Sequence, residues 1–147
     1  MTAPARSIAE IPGDERTLTV LRERALAVMD RAYAPYSRFR VGAALLGTDG
    51  SITEGCNMEN AAFPVGMCAE RNALAAAVAR GLRTFDTILI ATEADDPTPP
   101  CGLCRQALEE FAPNLVVWSV TRDGRNARWT LEELLPRAFT SRSLDRT

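Results

Sequence analysis

The sequence contains no histidine and no lysine, and these two absences exclude whole classes of catalytic site. Without histidine the chain cannot form a Ser-His-Asp or Cys-His catalytic group, a His-ligated metal site or an HExxH motif. Without lysine it cannot form a P-loop, a Schiff-base site or a pyridoxal phosphate site. Acid–base catalysis must therefore come from a carboxylate, a cysteine, a tyrosine or a metal-bound water.

Neither the charge nor the hydropathy pattern indicates a polymeric or membrane partner. The 17 basic residues and 19 acidic residues give a net charge of −2, whereas general nucleic-acid-binding proteins usually carry a basic excess. No apolar run has the length of a signal peptide or a membrane span, so we expect a cytoplasmic protein. In that compartment the four cysteines are expected to be reduced, which favours a metal site over disulfides.

The pattern of apolar residues predicts one domain of alternating helices and strands. Helices are predicted over 16–33, 68–80, 102–111 and 131–135, and strands over 41–46, 51–56, 87–91 and 115–120, with an optional strand after a turn at 123–124. This order favours an α/β fold, a mixed β-sheet flanked by helices on both faces in an α/β/α sandwich. We expect a flexible arm over 1–13, a catalytic domain over 14–139 and a polar tail over 140–147.

Three cysteines and one glutamate form the most informative pattern in the chain. Cys101 and Cys104 are three residues apart at a predicted helix start, so both thiols can bind one metal ion. Cys68 opens another predicted helix, and a set of three thiolates leaves the fourth zinc position open, as is typical of catalytic sites. Glu70 follows Cys68 by two residues and can place its carboxylate near a zinc-bound water. The pattern predicts one Zn²⁺ per chain.

A zinc ion with three thiolates carries a net charge of −1, which needs a positive counterpart. Both ligand segments begin predicted helices, whose N-termini carry partial positive charge and lower the pKa of thiols. Arg71 can donate hydrogen bonds to the thiolates from outside the ligand set. An alternative is a closed structural site completed by Cys56, although Glu70 would then have no role.

Zinc deaminases of nucleobases combine three such ligands with a glutamate that does not bind the metal and a Pro-Cys-x-x-Cys segment. At these residues the sequence resembles the small homotetrameric cytidine deaminases. The resemblance covers about residues 33–139 and rests on five segments, which read YAPYSRFRVGAAL (33–45), CNMENAA (56–62), CAER (68–71), PCGLCRQ (100–106) and LLPRAF (134–139).

The resemblance implies a division of roles within the site. Cys68, Cys101 and Cys104 would bind zinc, and Glu70 would carry protons between water, the ring N3 and the leaving amino group. The implied reaction is hydrolytic deamination of cytidine and 2′-deoxycytidine to uridine and 2′-deoxyuridine, a step of pyrimidine salvage. The implied assembly is a homotetramer whose sites are completed across subunits.

The resemblance also implies the substrate contacts. Asn57 and Glu59 would bind ribose hydroxyls, chiefly the 3′-hydroxyl, and Phe39 would pack on the pyrimidine. Phe139 would reach into a neighbouring subunit's site. Phe63 would also contact the substrate, from a segment that reaches an adjacent subunit's site. It stands where the family often has tyrosine, so it would lack the hydroxyl for one polar contact near the 5′ side of the sugar.

Two other functions are compatible with the sequence. One is deamination of another aminopyrimidine nucleoside, such as a blasticidin-type antibiotic, although Asn57 and Glu59 favour an ordinary ribose. The other is a catalytically silent, zinc-stabilised binding module, against which the presence of Glu70 argues. Asn57 and Glu59 could also be ordinary turn residues, and Phe39 and Phe139 could be ordinary packing residues.

Overall fold

The computed structural model of the chain describes residues 14–144. The predicted arm (1–13) and the last part of the predicted tail (145–147) lie outside the described residues. The elements follow in the order α1 (Glu15–Met29), β1 (Val41–Gly47), β2 (Ile52–Cys56), α2 (Ala69–Ala79), β3 (Phe85–Thr92), α3 (Gly102–Glu109), β4 (Val116–Thr121), β5 (Asn126–Thr130) and α4 (Leu131–Leu134). Short 3₁₀ turns are formed by Phe63–Val65 and Ser141–Ser143.

The five strands form one mixed sheet in the order β2-β1-β3-β4-β5. β3 and β4 are parallel, and the other neighbouring pairs are antiparallel. Helix α1 packs on one face, where its buried side chains Leu21, Ala25 and Met29 meet Leu89 and Trp118 of the sheet. The other face is covered by α2, α3 and α4, which bury Ala73, Leu108 and Leu131 respectively. The predicted mixed sheet with helices on both faces is therefore confirmed.

The end of α1 is the clearest difference from the predicted elements. The predicted helix extends to residue 33, but α1 ends at Met29. The backbone N–H of Tyr33 donates to the carbonyl of Asn57 at 3.0 Å, and Tyr33 forms a β-bridge with Met58. This pairing requires an extended backbone at Tyr33. It ties the segment before β1 to the segment after β2.

Two glycines allow helices to lie unusually close to the sheet. A Cβ atom at Gly42 of β1 would lie 2.0 Å from the carbonyl oxygen of Ala25 in α1. A Cβ atom at Gly55 of β2 would lie 2.3 Å from the backbone nitrogen of Ala73 in α2. No other residue type fits at these positions without moving a helix, because real Cβ atoms do not approach backbone atoms so closely.

One end of the sheet gathers the segments that carry the predicted site. Val41 at the start of β1 pairs with Thr92 at the end of β3, and Gly42 pairs with Cys56 at the end of β2. The loop after β3 leads directly to the PCGLC segment, and the chain after β2 leads to α2. Open α/β sheets commonly bind ligands at the carboxyl ends of such strands. None of the helices within residues 14–144 is both long and apolar enough to cross a membrane.

Candidate metal centre and active site

The thiols of Cys68, Cys101 and Cys104 form a compact cluster. The Sγ atoms of Cys68 and Cys101 are 3.7 Å apart, and those of Cys101 and Cys104 are 3.6 Å apart. Tetrahedral zinc with Zn–S bonds of about 2.3 Å requires sulfur atoms roughly 3.8 Å apart. The spacing and the sulfur donor set therefore fit one zinc ion.

The local structure explains why these three thiols converge. Cys68 is the N-cap residue of α2 and Cys101 the N-cap residue of α3, and Cys104 lies in the first turn of α3. Cys101 is exposed and Cys104 is fully buried, so the cluster extends from the surface into the interior. Within residues 14–144 these three side chains make up the candidate metal-binding group, and Cys56 does not belong to it.

Electrostatics favours an ionised thiol at Cys68. A hydrogen bond with Cys104 lowers the pKa of Cys68 to about 5, and further hydrogen bonds from Arg71 and Cys101 act in the same direction. The same contact and burial raise the pKa of Cys104 above its usual value. The Nη2 atom of Arg71 lies 3.9 Å from Cys68 Sγ, as expected for a cation that offsets thiolate charge.

Glu70 is a buried carboxyl group next to this cluster. It lies in the first turn of α2 and is only 5% exposed. Burial raises the pKa of Glu70 to about 7, and the negative charge of Cys68 adds to the increase. A carboxyl group with a pKa near neutrality can both accept and release a proton at the pH of the cell.

Six of the ten predicted site residues line one cavity of about 250 Å³. They are Phe39, Asn57, Glu59, Cys68, Glu70 and Cys101. Cys104 and Arg71 do not line the cavity, but Cys104 contacts Cys101 and Arg71 contacts Cys68. A cavity of this size suits one small molecule.

Two of the remaining predicted residues, Phe63 and Phe139, do not line this cavity, although Phe63 lines an adjoining one with Ser37 and Glu59. Phe63 is 74% exposed and packs edge-on against Tyr36, with ring centroids 5.9 Å apart. Phe139 is 61% exposed, and its carbonyl accepts a hydrogen bond from Gln106 at 2.7 Å. Within one chain, neither aromatic ring lines the cavity.

The polar side chains of Asn57 and Glu59 are already held by neighbouring backbone groups. Asn57 Oδ1 accepts from the N–H of Val41, and Asn57 Nδ2 donates to the carbonyl of Phe39, each at 2.8 Å. Glu59 Oε1 accepts from the N–H groups of Tyr36 at 2.9 Å and Ser37 at 3.0 Å. The hydroxyl of Ser37 donates to Glu59 Oε2, and this bond is the main cause of a lowered pKa of Glu59.

Seven further residues line the cavity, and the polar residues Ser37 and Thr98 are among those that sequence reasoning missed. Ser37 is part of the YAPYSRF segment and lies two residues before Phe39. Its closeness in sequence to a predicted substrate contact could have marked it as a candidate site residue. Thr98 lines the cavity because its backbone N–H donates to the buried Ser119 hydroxyl at 2.9 Å. That contact joins a loop to β4, and no local pattern in the sequence indicates it.

Comparisons with known proteins agree with this geometry. A family model described as "Cytidine and deoxycytidylate deaminase zinc-binding region" matches residues 16–120. A cytidine deaminase of Halalkalibacterium halodurans is 42% identical over 127 residues, which are 86% of this chain and 96% of that protein. A crystal structure of cytidine deaminase from Burkholderia pseudomallei aligns with a TM-score of 0.80 and 44% identity, covering 82% of this chain and 98% of that one.

A blasticidin-S deaminase of Bacillus cereus is also similar, with 32% identity over 112 residues. These residues are 71% of this chain and 79% of that protein, so both the identity and the coverage are lower than for the cytidine deaminases above. The family model spans most of the described residues, including all three clustered cysteines. The chain therefore belongs to the cytidine and deoxycytidylate deaminase family, which is defined by its zinc-binding region.

Proposed function

We propose that this protein is a zinc-dependent hydrolase that deaminates cytidine and 2′-deoxycytidine to uridine and 2′-deoxyuridine. One observation carries the proposal: a single small cavity contains two of the clustered thiols, the buried Glu70 carboxyl group and the polar pair Asn57 and Glu59. The similarity to cytidine deaminases over most of the chain agrees with this chemistry. The catalytic domain would comprise residues 14–139.

Glu70 performs the proton transfers in the proposed mechanism. A zinc ion held by Cys68, Cys101 and Cys104 would supply the Lewis acidity that makes water nucleophilic near neutral pH. Glu70 accepts a proton from that water and delivers it to N3 of the pyrimidine. As the water oxygen bonds to C4, Glu70 takes the second proton from that oxygen and passes it to the amino group. The C4–N bond then breaks, ammonia leaves, and the oxygen remains as the C4 carbonyl of uridine. One carboxylate suffices because these sites are a few ångströms apart in a bound substrate.

Asn57 and Glu59 would select the sugar through one hydroxyl group. An amide nitrogen carries two hydrogens, and Asn57 uses one of them to bond Phe39. A carboxylate accepts about four hydrogen bonds, and Glu59 already receives three. One donor and one acceptor position are left, which suit a single hydroxyl group. The 3′-hydroxyl occurs in both ribose and deoxyribose, so both nucleosides should be accepted.

In a homotetramer, the predicted aromatic contacts to one substrate would come from more than one subunit. Phe39 lines the cavity and would pack on the pyrimidine ring. Phe63 and Phe139 are exposed and outside the cavity of their own chain, which supports a role in a neighbouring subunit's site. A fully active monomer in analytical sedimentation at assay concentration would contradict this assembly.

Reduced, closely spaced thiols suit the cytoplasm, where pyrimidine salvage would require the enzyme.

A substrate panel tests the proposed function. Zinc-loaded protein is incubated with cytidine, 2′-deoxycytidine, cytosine and blasticidin S, and ammonia release is measured. We expect both nucleosides to react, and kcat/KM for cytosine to be lower by at least about 10²-fold because Asn57 and Glu59 lose their sugar partner. Equal rates with cytosine would refute nucleoside recognition. A preference for blasticidin S would favour the antibiotic deaminase, and no ammonia from any substrate would favour the silent zinc module.

A further inference from the structure

The hydroxyl of Ser37 connects two groups on the wall of the cavity. It donates to Glu59 Oε2 and accepts a hydrogen bond from the backbone N–H of Phe39 at 3.0 Å. A serine hydroxyl has only one hydrogen, so accepting from Phe39 leaves that hydrogen for the carboxylate. The direction of the Ser37 hydroxyl is therefore fixed from both sides.

The loop around Ser37 is held in a conformation that the free chain would rarely adopt. Arg38 has a φ angle of 56°, in the left-handed region, and its N–H donates to the carbonyl of Ala34 at 3.0 Å. A non-glycine residue in this region is strained, because its Cβ atom crowds the following carbonyl oxygen. The bonds from Tyr36 and Ser37 to Glu59 hold the loop against the segment after β2.

The two oxygens of Glu59 are fixed in different ways. Oε1 is held by two backbone N–H groups, which remain whatever side chain occupies position 37. Oε2 is oriented by the Ser37 hydroxyl, and it is the oxygen with an acceptor position left for the sugar. Without that hydroxyl the carboxylate plane can rotate about its Oε1 contacts, and water can occupy the vacated position.

We propose that Ser37 is a positioning residue that sets the orientation of Glu59 for one sugar hydroxyl group. The inference rests on the proposed nucleoside deaminase activity and adds a specificity-determining contact to it. Ser37 is not expected to touch the reacting atoms, because it acts through its hydrogen bond to Glu59.

A thermodynamic cycle tests this role by removing the Ser37 hydroxyl from the enzyme and the 3′-hydroxyl from the substrate, separately and together. Wild type and Ser37→Ala are compared on 2′-deoxycytidine and on 2′,3′-dideoxycytidine, which lacks the 3′-hydroxyl. We expect kcat/KM for 2′-deoxycytidine to fall about tenfold in Ser37→Ala, mainly through KM, since a hydrogen bond to a charged group is lost. For the dideoxy substrate the loss should stay within about threefold.

Two further variants separate positioning from a structural effect. Ser37→Thr keeps the hydroxyl and should restore most of the lost kcat/KM. Ser51→Ala is a matched control, because the Ser51 N–H and hydroxyl donate to the Asp49 carboxylate at 3.0 Å and 2.6 Å in the turn at the other end of β1 and β2. It removes the same kind of contact and should leave both kinetic constants unchanged.

Equal losses on the two substrates would overturn the inference, because the hydroxyl would then act through Phe39 or through the whole loop. No loss on either substrate would overturn it as well. The same cycle is also measured as binding of 2′-deoxyuridine and 2′,3′-dideoxyuridine by calorimetry, without turnover. If Ser37→Ala weakens binding of the 3′-hydroxyl nucleoside selectively but the protein deaminates neither substrate, the proposed activity is refuted and the Ser37 inference stands. Wild-type protein that does not distinguish the two nucleosides in binding would refute the Ser37 inference.

Discussion

Replacing Gly55 by alanine should damage both the fold and the metal site. The added Cβ would lie 2.3 Å from the backbone nitrogen of Ala73 and 2.5 Å from the carbonyl oxygen of Ala69. Both atoms belong to the backbone of α2, so no side chain can move aside. Ordinary contact begins at about 3.4 Å, and α2 must therefore retreat from the sheet by about 1 Å.

The size of the effect follows from this displacement. Overpacking of a well-packed core costs about 1–3 kcal/mol, which for a domain of this size lowers Tm by roughly 3–12 °C. Helix α2 follows Cys68 and carries Glu70, so a shift of the helix moves a metal ligand and the acid–base group together. A misplacement of about 1 Å at a reacting centre can cost about 10²-fold in rate. We expect kcat/KM for cytidine to fall by at least that factor.

Thermal unfolding, metal content and initial rates of ammonia release are measured on the same preparation of Gly55→Ala. Gly102→Ala is the matched control, because its added Cβ would meet nothing within 4 Å beyond its chain neighbours and its own helix backbone, although it stands between Cys101 and Cys104. It should keep wild-type zinc content and Tm. Gly42→Ala, which displaces α1 instead, should lower Tm and keep zinc. Wild-type stability and activity in Gly55→Ala would refute the reasoning about close packing.

Three other predictions follow from the site and its surroundings. Cys68→Ala and Cys104→Ala should lose zinc and thermal stability together, whereas Cys56→Ala should keep the metal in elemental analysis; a zinc requirement for Cys56 would contradict the open site. Deletion of residues 139–147 should raise KM for cytidine more than it weakens zinc binding, and an unchanged KM would remove Phe139 from the substrate site. Hydrogen bonds from Arg40 lower the pKa of Glu93, so the stabilisation they give is present near pH 7 and lost as pH falls through that lowered pKa. The Tm difference between wild type and Glu93→Gln should therefore shrink below about pH 4, and a constant difference would contradict the ion pair.

The fold could be predicted from sequence where local pattern determines structure. The apolar spacing of α1 and the β-branched run of β3 gave the right element types, because one face of each is buried in the sheet core. The end of α1 could not be predicted. It depends on pairing between Tyr33 and Met58, and helical periodicity contains no information about a contact so distant in the chain.

In the candidate site, too, local sequence features could be predicted and contacts between distant segments could not. The spacing of Cys101 and Cys104 and the position of Glu70 after Cys68 are local features, so the sequence alone indicated the metal cluster. The bonds that hold Glu59 come from Tyr36 and Ser37 across a loop, and only the folded chain reveals them. Positions that hold a functional group are harder to predict than the group itself, because their partners are set by tertiary packing.

Glu70→Gln gives the most direct test of the central claim, that a carboxylate beside a three-thiolate zinc site moves the protons of a hydrolytic deamination. The variant and the wild type are loaded with zinc, their metal content is measured, and ammonia and uridine formed from cytidine are counted. We expect the wild type to release one ammonia per uridine, and the variant to bind zinc equally well and lose about 10³-fold or more in kcat. Turnover within tenfold of wild type, or a zinc-loaded wild type that forms no ammonia from cytidine, would contradict the account.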